Sequence, residues 1–95
     1  MTETEIETEL ERLRAKFAVL RKVAQARAEL VQFLDFNEKN LLHVFANIRP
    51  TKTVFRSANS ELRVWVHAFL KGDQQRFALA QLAALDPDSG TKKQL

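Results

Sequence analysis

Apolar residues recur at Ile6, Leu10, Leu13, Phe17, Leu20 and Ala24, separated alternately by four and three positions. That spacing averages 3.5 residues and is the signature of a helix with a coiled-coil-like seam. The pattern predicts one amphipathic helix over residues 3–34. Beyond Ala24 the seam meets Arg27, and the apolar side turns to Val23, Leu30, Val31 and Leu34. A helix of this length spans about 48 Å, and helices of about 12 residues span about 18 Å. Three short helices would leave its first half uncovered. Residues 1–24 are therefore expected to form an oligomerisation segment, with Ile6, Leu10, Leu13, Phe17 and Leu20 at the interface of a homo-oligomer. A dimer is favoured, parallel or antiparallel.

Further along, Asp35 followed by Glu38 resembles a helix-capping box, with Asn37 as a second candidate cap. A helix starting there carries Leu41, Leu42, Phe45 and Ile48 and stops before Pro50. The stretch Arg49 to Asn59 shows no evident helical period and is expected to be a loop. Asn59 or Ser60 then caps a third helix with Leu62, Trp65, Val66, Phe69 and Leu70 on one face, closed by Gly72. The β-branched and aromatic residues at 53–57 and 62–66 offer a β-hairpin as the alternative. Asp73 caps a last helix, Gln74 to Leu85, on which Phe77, Leu82 and Leu85 are the large apolar residues. The expected architecture is all-α: a long N-terminal helix packed on three short helices in a single domain, residues 1–86, followed by a disordered tail at 87–95.

Composition supports that class. With two glycines and two prolines in 95 residues, turns are too rare for a sandwich of short strands, and 45% apolar residues suffice for one core. The chain has no cysteine, which removes disulfides, thiolate chemistry and cysteine-ligated zinc and suits a reducing compartment. The opening residues are acidic, unlike a secretory signal, and no run approaches the roughly 18 apolar residues of a membrane span. A cytoplasmic protein is expected, with no membrane partner.

Charge changes the picture more than composition does. Residues 1–11 carry five glutamates and no base, a charge of −5, whereas residues 12–76 set thirteen Lys and Arg against five acids, a charge of +8. Within the basic body, Arg49, Lys52 and Arg56 alternate with Thr51, Thr53, Phe55 and Ser57. Cations and hydroxyls suit phosphates, and an aromatic ring suits a base. Arg49, Lys52, Phe55, Arg56 and Arg63 are accordingly the candidate nucleic-acid or anion contacts, with Arg12, Lys16, Arg21 and Lys22 as possible additions.

Catalytic patterns are missing. His43 and His67 have no carboxylate or second histidine at helical spacing, no nucleophile motif surrounds Ser57, Ser60 or Ser89, and two isolated glycines cannot cradle a phosphate. The residues around Ala68 and Gly72 do not fit a helix-turn-helix, since His67, Lys71, Asp73 and Gln81 occupy positions that must be apolar. No cofactor, metal or small-molecule substrate is implied. The expected function is that of a non-enzymatic protein–protein interaction or regulatory module, self-associating through its first helix, with a protein partner favoured over nucleic acid. The alternative is a dimeric nucleic-acid-binding regulator that uses the basic segment 49–56.

Overall fold

In the computed structural model, which describes residues 1–86, the chain is all-α. The order is α1 (Glu3–Val23), α2 (Ala28–Asn47), α3 (Lys52–Phe69) and α4 (Gly72–Ala84). Helix α1 starts on a capping box: the Thr2 hydroxyl accepts from the Glu5 backbone N–H, and the Glu5 carboxylate accepts from the Thr2 N–H. Glu3 and Glu5 lie at the positive end of the helix dipole and Arg21 and Lys22 at the negative end.

The expected helix over 3–34 is broken. Ala24 closes α1, Gln25 and Ala26 turn, and the extended Arg27 (φ −117°, ψ 91°) precedes α2. No glycine or proline forces this, and local preference favours helix throughout. The reason is burial. A straight helix would leave its apolar seam in water, whereas folding back places Leu13, Phe17, Leu20 and Ala24 at 3% exposure or less. Each large side chain gains roughly 1.5–3 kcal/mol on burial, against a few tenths for each helical residue given up.

Helix α2 runs straight through Asp35 and Asn37, the expected caps. Leu30, Leu34, Leu41 and Phe45 keep one face inward across them. Asp35 instead points its carboxylate at Arg21, 3.5 Å away, and the same guanidinium also pairs with Glu38.

The loop expected at 49–59 shrinks to Arg49–Thr51, and the hairpin at 53–57 and 62–66 does not form. Thr51 caps α3 by accepting from the Val54 N–H at 3.3 Å. The core stripe of Leu62, Trp65 and Val66 extends backward through Ala58 to Phe55, a three-four-three spacing that a strand cannot satisfy. At the other end, Gly72 opens α4 rather than closing α3. Its φ of 59° is a left-handed value that glycine adopts without strain. Lys71, not Asp73, precedes the helix as its cap residue, and its side chain makes no capping bond. The tail expected from 87 lies outside the described residues.

Helix α1 packs on α2 and α4, and α4 packs on α3. The helices form a slab of 37 × 37 × 17 Å around one core. Among the described residues one charge is buried in it. Lys16 Nζ, on a side chain 3% exposed, donates to Asn59 Oδ1 at 2.6 Å and to Asp86 Oδ1 at 2.7 Å. This bond ties the segment after α4 to the middle of α1.

Two stability predictions follow from this packing. Leu13→Ala and Leu20→Ala should each cost about 2–5 kcal/mol in urea unfolding, with no dependence of the loss on protein concentration. A loss that disappears at high concentration would instead put these residues between chains. For the ion pair, Asp86→Ala strands a buried ammonium and should cost about 3 kcal/mol, while Lys16→Met, leaving the half-exposed Asp86 to hydrate, should cost about 1 kcal/mol. The reverse order would show that the ammonium is not the costly group.

Candidate functional site

The backbones of α2 and α3 stand apart, and aromatic pairs bridge them at two points. Phe33 meets the Phe69 ring edge-on at 5.7 Å near the start of α2, and Phe45 meets Phe55 at 5.1 Å near its end. The two helices therefore run antiparallel. Between the bridges lies an apolar groove of about 470 Å³. Twelve residues separate Phe33 from Phe45, so the opening is about 18 Å long, some three turns of helix.

The floor comes from three helices: Phe17 of α1, Leu34 and Leu41 of α2, and Ala58, Leu62 and Trp65 of α3. Small Ala58 and Ala68 keep the α3 wall low. On the rim stand Phe33 (42% exposed), Val44 (47%) and Val64 (61%), with Asn37, Asn40 and Glu61 between them. Glu61 is the single ionisable group of the lining. Trp65 is itself buried, and among the described residues its indole N–H has no hydrogen-bond partner. Leaving a buried donor unpaired costs about 1–3 kcal/mol.

This site was not among the expected ones. The proposed interface residues Leu13, Phe17 and Leu20 lie in the chain's own core, and Ile6 and Leu10 are half-buried against it. Helix α1 has 21 residues, not the expected 32, and α2 and α4 cover its apolar seam from within the chain. Phe17 touches the new site only as its floor.

The candidate anion contacts are also redistributed. Phe55 is 2% exposed and stacks on nothing outside the core. Arg49 lies apart from the others, beside Glu3, Glu7 and Ile6, and donates to the Met1 carbonyl at 2.8 Å. Lys52, Arg56 and Arg63 do come together along α3, on the side away from the apolar groove. They share a polar cleft of about 780 Å³ with Glu5, Glu9 and Arg12 of α1. The acidic head thus faces the basic segment of its own chain. Arg12 pairs with Glu9, Arg21 with Asp35 and Glu38, and Lys16 is buried, so the added cations of α1 are largely engaged.

Sequence reasoning passed over Phe33, Phe36 and Val64. A signal was present, since apolar residues at 33, 34, 36, 41, 42, 44 and 45 cover a wider arc of α2 than a single core contact requires. Elsewhere, His43 and His67 are both exposed, and no group of three or more His, Cys, Asp or Glu is placed to hold a metal among the described residues. Among them, too, no helix is long and apolar enough to cross a membrane.

Comparison with known proteins adds no relative: no family model matches the chain, and neither a curated protein nor a solved structure does.

One titration at the polar cleft is defined. The Thr2 backbone N–H, then its hydroxyl, hold the Glu5 carboxyl below its ordinary range, with a smaller contribution from Lys52. A lowered folded-state pKa stabilises fully above the unfolded value of about 4.3 and loses that contribution as pH falls through the folded one. Amide exchange at Glu5 and Ile6 should therefore quicken below about pH 4 relative to mid-helix amides, and Glu5→Gln should flatten this dependence. An unchanged profile in Glu5→Gln would remove the capping carboxylate as its cause.

Proposed function

We propose that the protein is a small non-enzymatic interaction module whose docking surface is the apolar groove between α2 and α3. The observation that carries this reading is the exposure of Phe33, Val44 and Val64 together around a floor that already reaches the core. Scattered apolar residues need no explanation, but a contiguous patch edged by amides does. The shape fits helix-in-groove recognition, in which an apolar helical face lies between two helices. A groove with one ionisable side chain offers little to a charged metabolite and little to phosphate.

The polar cleft supports a nucleic-acid role less well. Its four cations, Lys52, Arg56, Arg63 and Arg12, share their space with three carboxylates, Glu5, Glu9 and Asp86, and the aromatic ring expected to stack is in the core. Electrostatic attraction to phosphates needs cations that are not already balanced nearby.

The test compares two variants in capture from a host extract. Val64→Glu places a charge on the groove rim and should reduce recovery of bound protein at least tenfold, while Arg56→Ala with Arg63→Ala should leave it within a factor of two. Equal recovery by Val64→Glu and the unaltered chain would overturn the groove as the docking surface. Loss confined to the arginine variant, together with recovered nucleic acid, would transfer the function to the cleft.

A further inference from the structure

The groove has a counterpart on the same helix. Phe36 stands 62% exposed and lies outside the groove lining. At 100° per residue it is offset by about 60° from Phe33 and about 40° from Asn40, so it adjoins the groove rim of α2. Among the described residues it is a large apolar knob with no hole, beside a hole with no knob.

From Phe33 to Asn47 the arc of α2 between Phe36 and the groove presents Phe33, Phe36, Asn37, Asn40, Val44 and Asn47, with no charge among them, while His43 and Lys39 lie on the far side of Phe36. A twofold axis brings a surface against itself, so any charge near the axis meets its own like. A neutral face carrying both knob and hole avoids this penalty. A partner selected by charge would find only Glu61 to recognise.

Resting on the reading of the groove as a docking surface, we propose that its occupant is a second copy of this chain. In this dimer the Phe36 ring of each protomer enters the groove of the other, and α2 packs against its twofold mate. The arrangement is reciprocal and closed, and it ends at two chains.

Light scattering of the intact protein across a dilution series reads the mass directly. At about 100 µM chain it should give twice the 10.9 kDa monomer mass, falling toward the monomer on dilution while Trp65 emission shifts to the red. Phe36→Glu removes the knob at both symmetric positions and should weaken association by about 1000-fold with the helix signal intact, since Phe36 contributes little to the core. Phe77→Glu changes an equally exposed phenylalanine, on α4, and should leave the dimer unchanged.

A monomer at that concentration, a larger open-ended series, or equal dissociation by Phe36→Glu and Phe77→Glu would each overturn the proposal. An apolar dye, anilinonaphthalene sulfonate, separates this failure from that of the docking surface itself. A monomer whose dye signal is abolished by Val64→Glu rejects self-association but retains a groove open to another protein. A monomer that binds no dye rejects both.

Discussion

The inward face of α1 is the constraint on which the other elements depend. Leu13, Phe17, Leu20 and Ala24 lie along one side of a 21-residue helix, and α2 and α4 both pack on that helix. Helix α3 reaches the same core through Phe55, Leu62, Trp65 and Val66 while resting on α4. An unbroken helix would be favoured locally over 3–34. The turn at Gln25 and Ala26 exists because covering the seam from within the chain gains several kcal/mol, and two or three residues of helix are a small loss beside it.

That balance explains which parts of the fold were legible. Helical class was plain, because scarcity of glycine and proline and repeated apolar spacing point the same way. Boundaries were not. One break was missed at residues 24–27, where no residue type marks it, and one was expected at Asp35, where capping chemistry is present but Leu34 and Leu41 hold the stripe across two turns. The number of helices agrees only because these two differences offset each other. Similarly, the alternation of hydroxyls and cations in 51–57 hid the spacing of Phe55, Ala58 and Leu62. Reading that stretch as a loop made Phe55 look available to a ligand when it is a core residue.

The folding back of α1 onto its own chain also rearranges the electrostatics. The sequence separates an acidic head from a basic body, but the two successive reversals of the chain set α1 parallel to α3 and bring Glu5 and Glu9 to the cleft that holds Lys52, Arg56 and Arg63. The long-range asymmetry of the sequence becomes a short-range balance in the fold. At physiological salt, exposed charges act over about 8 Å, so acids and bases this close offset one another and the cleft presents a weaker field to a nearby ligand than the basic segment would alone.

A chain of this size has little apolar surface to spare for covering itself. Helices α1 and α4 are placed inside the arrangement of packed pairs, while α2 and α3 are at its edges and meet mainly through side chains. The groove is the consequence of that order: each of these two helices has one face committed to the core and a second apolar face turned toward the other without reaching it. Closing the gap would require Phe33 and Phe45 to give up the ring contacts that now bridge the helices, and would lift Leu34 and Leu41 from the floor they share with Phe17 of α1. The same aromatic pairs that complete the core thus hold the groove open. An apolar surface kept open by the packing of the core, rather than by a loop, persists until something outside the chain fills it.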